Sequence, residues 1–199
     1  MPLPFRKIAL ALTPAVALAS VAATPNSLAA SQSLACRPFV DFSNPKEVRR
    51  WRVVNDGVMG GLSSGEMRVD DGTMLYTGLI NTNGGGFSSI RRTISPGTLS
   101  NAVALKFNHA DDGRVYKVSI RSSAAYRRRP ISFQAPIPPR DQGAVVALDD
   151  LRGSFRGYQA PGAQFDRDQA FEIGIILSDG IDGPFEMSMR SIEICETAI

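Results

Sequence analysis

The sequence predicts an all-β fold, a sandwich of two antiparallel sheets behind a cleavable N-terminal signal peptide. Three observations carry the sandwich. From residue 36 onward, apolar side chains alternate with polar or small ones at period two. Asp-Gly and Asn-Gly pairs interrupt the alternation at intervals, as tight antiparallel turns require. No long segment shows the three-to-four-residue spacing of an amphipathic helix. About eight short strands in roughly 160 residues bury their apolar faces most economically by packing one sheet on another.

The chain begins with a different pattern. Arg6 and Lys7 precede an apolar run from Ile8 to Ala23, interrupted by Pro14, and no acid occurs before residue 30. This is the layout of a secretory signal peptide. Ser20 with Ala22, or Ser27 with Ala29, supplies the small residues a signal peptidase needs, which divides the chain into a leader (1–29), a linker (30–35) and one domain (36–196). An uncleaved anchor is the alternative, but the run is short for a span of ~20 residues. Membrane association is expected only if this segment is retained. The whole chain of 199 residues carries 22 bases and 19 acids, a net charge of +3. Loss of the leader leaves 20 bases against 19 acids, so the net charge falls to +1 and general affinity for nucleic acid is not expected.

Export also changes the meaning of the two cysteines. Cys36 and Cys195 stand near the ends of the mature chain and enter an oxidising compartment, where a disulfide between them is expected. Free buried thiols or a metal pair are the alternatives, although two Cys are too few for a zinc site.

The strands follow in order. Asn44 to Arg50 suits a single helical turn. Met67 and Val69 alternate before Asp70-Asp71-Gly72 turns the chain into Met74 and Tyr76. Val103, Leu105 and Phe107 form a second set, expected to return through Asp111-Asp112-Gly113 as a hairpin with Tyr116, Val118 and Ile120. Gly, Pro and Arg crowd Ala124 to Gln169, which reads as long connections around short strands near Ser132 and Val145. Phe171, Ile173, Ile175 and Leu177 are expected to form a third hairpin with Phe185, Met187 and Met189. The apolar phase then moves to Ile192 and Ile194, which implies a bulge or a sheet-changing bend near Arg190 and Ser191.

Two Gly-rich segments stand out. In the run from Trp51 to Ser63, Asn55 and Asp56 can turn the backbone through their own oxygens, and Gly60-Gly61 opens conformations closed to other residues. The run from Asn81 to Arg92 contains Gly84-Gly85-Gly86 but lacks the Lys-Ser/Thr ending and the helix of a phosphate loop, which excludes a nucleotide site. Phe87 is expected to point inward and Arg91 outward.

The order Trp51, Asn55-Asp56-Gly57, Met59-Gly60-Gly61, Ser63, Tyr76-Thr77-Gly78, Gly85-Gly86-Phe87 with Arg91, Asp112-Gly113-Arg114 with Tyr116, Phe133 and Arg156-Gly157 resembles the complex I intermediate-associated protein 30 family. The resemblance runs through nearly all of residues 39–194. It implies a galactose-binding-like jelly roll and a non-catalytic binding module, since the best-known members are mitochondrial factors that help assemble respiratory complex I by holding incomplete subunits. Gln142-Gly143-Ala144-Val145 stands where the family usually carries a Trp. The leader is not an Arg- and Ser-rich mitochondrial presequence, so the expected setting is secreted or periplasmic. The expected role is aiding assembly or stability of a membrane or envelope complex.

The expected partner is therefore another protein. Its candidate surface comprises Asn55, Asp56, Met59 and Ser63, then Asn83 and Ser88, and the basic run Arg127, Arg128 and Arg129, where guanidinium groups can hold carboxylates bidentately. The alternative is a carbohydrate-binding module, in which Tyr126 and Tyr158 would stack on sugar rings. Catalysis is not expected. The single histidine, His109, lies beside Asp111 and Asp112 and reads as a solvated turn residue, and no paired carboxylates are legible. No cofactor is expected. Acid-rich turns leave structural calcium as a minor alternative, without a complete ligand loop.

Overall fold

The computed structural model describes residues 33–126, 128–139 and 144–198. The leader, residues 30–32 of the linker, Arg127, Gln142-Gly143 and the Tyr126 side chain lie outside the described residues.

The first sheet is organised around one long strand, β15 (Gly183–Thr197). Along one edge runs β6 (Ala104–Asp111), followed outward by β11 (Val145–Ala147). Along the other edge lie β4 (Thr73–Ile80), with β3 (Ser64–Asp70) outside it, and then β1 (Leu34–Asp41) beside the C-terminal half of β15. The register of β15 on β6 shifts between Met189 and Ser191, which is the expected bulge. It turns Phe185, Met187 and Met189 before it, and Ile192 and Ile194 after it, onto the same buried face. The strand stays in its sheet throughout.

The second sheet has seven strands. From one edge they are β13 (Tyr158–Gln159), β12 (Arg152–Phe155), β10 (Ser132–Pro136), β7 (Tyr116–Arg121), β14 (Glu172–Leu177), β5 (Ser88–Thr93) and β2 (Arg52–Asn55). Every described ladder is antiparallel, and a small separate hairpin joins β8 (Ala125–Tyr126) to β9 (Arg129–Pro130). The inward positions, Ile90, Val118, Ile120, Phe133, Ile173 and Ile175, meet Met74, Tyr76, Leu105, Phe107 and Met187 of the first sheet in one continuous core. Full burial of each such side chain contributes about 1.5–3 kcal/mol.

Of the three expected hairpins only β3–β4 exists. β6 and β7 lie in different sheets, as do β14 and β15, so the segments 112–115 and 178–182 are arches across the sandwich. The same alternation serves either outcome, because a strand buried on one face looks alike whether its successor pairs with it or packs opposite it. Arg114 ties the two arches together. Its Nη2 and Nε donate to the Asp179 carboxylate at 2.7 and 2.9 Å, and the guanidinium also reaches the carbonyls of Ile181, Gly183 and Pro184. Burial by itself would raise the Asp179 carboxyl, but the hydrogen bonds from Arg114 and the Ile181 N–H, with the Arg114 charge, hold it below the ordinary value.

His109 is also placed differently from expectation. It continues the inward series Leu105, Phe107 on β6, is buried, and sets Nε2 3.0 Å from Asp111 Oδ2. The strand runs on past the residue, so its parity faces the interior.

The expected turn at Asn44 is a short helix, α1 (Pro45–Val48), capped by Asn44 Oδ1 accepting from the Lys46 N–H. It delivers the buried Glu47, which accepts from Trp51 Nε1 at 3.0 Å and pairs with Arg92. Trp51 packs against Phe42, with ring centroids 5.5 Å apart. The single tryptophan is thus part of the core. Cys36 and Cys195 are directly opposite in the β1–β15 ladder and form a disulfide, as expected.

Candidate functional site

The two Gly-rich segments meet at Asp56. This residue is 0% exposed, and its carboxylate accepts from the Ser63 N–H at 2.9 Å, the Ser63 hydroxyl at 2.6 Å, and the N–H groups of Gly86 at 2.6 Å and Phe87 at 3.3 Å. Burial alone would raise the carboxyl, but these four hydrogen bonds together hold it below the ordinary Asp value. Gly61 and Gly85 crowd the same carboxylate, and a Cβ on either would overlap it. Ser63 continues the network, its hydroxyl oxygen accepting from the Asn81 N–H at 3.0 Å and lying 3.2 Å from the Asn81 carbonyl. The Ser88 hydroxyl donates to Asn55 Oδ1 at 2.6 Å.

Asp56, Ser63 and Ser88 were expected to face a partner. They are buried, with their polar groups directed at the protein's own loops, and so brace the surface without forming it. What this bracing presents is Met59, 50% exposed, together with Asn83. Gly60 ends the 3-10 turn Asp56–Met59 at φ 88°, in the left-handed region that favours glycine. Gly60→Val is therefore expected to lower the yield of folded protein and the melting temperature, by about 1–2 kcal/mol. Arg128→Ala trims an exposed side chain and should change stability by no more than about 0.5 kcal/mol. Equal melting temperatures for the two variants would contradict this division of roles.

The braced loops flank a groove of about 940 Å³ across the outer face of the second sheet. Met59 and the Gly85-Gly86-Phe87 segment line it at the loop end, and Pro130 of the β8–β9 hairpin borders it elsewhere. Phe87, expected in the core, is half-buried in the groove wall. It shares parity with Ser89 and Arg91 on β5, while Ser88 and Ile90 take the inward places. The floor is made by outward residues of the central strands, among them Arg91, Lys117, Arg121, Gln134, Arg152 and Ile176.

These floor residues are held in place. The buried Glu172 carboxylate on β14 pairs with Arg52 from one side, with Arg121 Nε at 3.6 Å and with Arg91 Nη1 at 3.8 Å. Arg91 Nε donates to Ser89 Oγ at 2.8 Å. Burial, followed by repulsion from Arg121, lowers the Arg91 pKa, although a guanidinium remains charged at any physiological pH. Arg152 donates to the carbonyls of Asp149 and Leu151, and Arg156 lies over the Phe155 ring at 5.6 Å.

Arg128 and Arg129 are exposed on the β8–β9 hairpin, where Arg128 has φ 63°. Tyr158 is 78% exposed at the sheet edge, opposite Phe155 in register, and is not among the groove-lining residues. Sequence reasoning named the loops and missed the floor. The missed signal lies in the polar half of the alternation, as in Lys117, Ser119 and Arg121 between Val118 and Ile120. Among the described residues, no group of three or more His, Cys, Asp or Glu is placed to hold a metal ion.

Comparisons with known proteins agree with this architecture. The fold is similar to the family 11 carbohydrate-binding module of the cellulosomal cellulase Lic26A-Cel5E of Clostridium thermocellum, at 15% identity and TM-score 0.59, covering 83% of this chain and 96% of that one. It is similar as well to a family 11 module from the same organism in complex with a beta-1,3-1,4-mixed-linked tetrasaccharide, at 16% identity and TM-score 0.56, covering 80% and 94%. At these identities the likeness is one of fold, a galactose-binding-like jelly roll. No curated protein matches the sequence significantly. The family model for complex I intermediate-associated protein 30 matches residues 40–189. That span contains both Gly-rich segments, the Asp56 node, the Arg114 arch and every floor residue of the groove, and the chain belongs to the complex I intermediate-associated protein 30 family.

Proposed function

We propose that this chain is an exported, non-catalytic binding module whose ligand is another protein, and that it aids assembly or stability of a membrane or envelope complex. The observation that carries the reading is the family match across residues 40–189, in a chain whose signature loops are spent on bracing one broad groove. A disulfide between the chain ends supports an oxidising compartment, secreted or periplasmic. Cross-linking followed by affinity capture from the native envelope is expected to enrich one defined protein. Repeated capture without an enriched protein overturns the reading.

The second reading is a carbohydrate-binding module. It is favoured by the likeness to family 11 modules together with a groove on the open face of a sheet. It requires glycan-array binding that falls when Tyr126 or Tyr158 is replaced by Ala.

A further inference from the structure

The groove has an unusual charge pattern. Arg91, Lys117, Arg121, Arg152 and Arg156 line it, and no Asp or Glu does so among the described residues. Glu172, buried on the same outer face of β14 as Ile176, does not line the groove; it is shared among three guanidiniums and so offsets only part of their charge. The domain as a whole is nearly neutral, so this face is a local positive field and not a sample of the general surface. Four of the five cations are Arg, whose planar fork matches a carboxylate in two parallel hydrogen bonds.

The rest of the lining narrows the ligand. Among the described residues neither Trp nor Tyr lines the groove, and of its two aromatic rings Phe155 lies under the Arg156 guanidinium while Phe87 is half-buried in the wall, which leaves little open platform for a neutral sugar ring. At the loop end the wall is apolar, with Met59, Val54 and Phe87. A uniformly charged uronate or sulfated chain would leave that end unmatched. A peptide that alternates acidic and apolar side chains matches both.

We propose that the groove receives an extended acidic segment of the partner protein, with its carboxylates on the Arg and Lys floor and an apolar side chain against Met59 and Phe87. This rests on the protein-binding reading above and assigns that reading a place and a chemistry. Arg91 and Arg121, preset by Glu172, meet the segment with little side-chain ordering left to do.

The test uses the full domain and fluorescein-labelled peptides of alternating Glu and Leu, a Gln-for-Glu control, polygalacturonate and a mixed-linked β-glucan. Anisotropy is read at about 30 and about 300 mM salt. Lys117→Gln with Arg152→Gln removes charge without stranding a carboxylate, since neither residue pairs with Glu172, and an unchanged melting temperature confirms that the double variant is folded. The Glu peptide is expected to bind, with affinity falling about tenfold or more in the double variant, in the Gln control and at the higher salt. Equal binding of Glu and Gln peptides, binding of neither, or binding of polygalacturonate without the Glu peptide overturns the proposal.

A photoreactive side chain at position 117, compared with one at position 83, separates this proposal from the reading it rests on. Capture of one partner from both positions supports the groove. Capture from position 83 alone keeps the protein-binding reading and rejects the groove, and capture from neither rejects both.

Discussion

Asp56→Ala is expected to destabilise the domain by about 3–5 kcal/mol, a large share of the 5–15 kcal/mol that holds a typical domain folded. The substitution removes the common acceptor of the Ser63, Gly86 and Phe87 N–H groups and of the Ser63 hydroxyl. The hydroxyl keeps its bonds to Asn81, but the buried Ser63 N–H loses its partner outright. Gly85→Ala should also destabilise the wild type, because its Cβ overlaps the carboxylate. It should cost less in the Asp56→Ala background, where that carboxylate is gone, and the difference measures the coupling.

The pH dependence of the Asp56 contribution follows from the sign of the shift. The folded carboxyl titrates below its ordinary value of 3.8, so the contribution is fully present above that value and is lost as pH falls through the folded pKa. The stability gap between wild type and Asp56→Ala should therefore narrow below about pH 4. Urea melts from pH 7 down to about pH 2.5 would show this. A gap that is small at neutral pH, or constant on acidification, would remove Asp56 from the centre of the loop network.

Replacing both Cys36 and Cys195 by Ser is the second large effect, expected to cost about 3–5 kcal/mol. The bridge joins residues 159 apart in sequence. The chain-entropy model assigns such a loop roughly 5 kcal/mol. β1 is the element most dependent on it. Residues Leu34 to Pro38 bury little, and only Val40 and the following Phe42 are deeply seated in the core. Without the bridge, hydrogen exchange should accelerate first in residues 34–38 and in their partners at the end of β15. Exchange that accelerates evenly across both sheets would argue against a clasp that acts at the chain ends.

The strands were legible because burial on one face imposes alternation, and that constraint is local. The inward sets on β4, β7 and β14 and the bulge after Met189 follow from it. Phe87 and His109 show where local reasoning fails. The Gly84-Gly85-Gly86 turn just before Phe87 hides its parity, and the acids beside His109 belong to a turn that begins only two residues later. The candidate surface divides the same way. Met59, Asn83, Arg128 and Arg129 carry side chains that the structure leaves open, while Asp56, Ser63 and Ser88 have short polar side chains that neighbouring loops could satisfy. Nothing within either segment says that the other supplies the partners.

By itself the sequence determined the class of fold, the family and the bridge between the chain ends, because periodicity, motif order and the placement of two cysteines are properties of one chain read in order. Only the tertiary structure decided that two supposed hairpins are arches, that Asp56 is a hidden brace, and that Arg91, Lys117, Arg121 and Arg152 share one floor. Those facts depend on which strands become neighbours. That choice is made by packing both sheets around a single core, where residues 30 to 120 positions apart in the chain come within hydrogen-bonding distance.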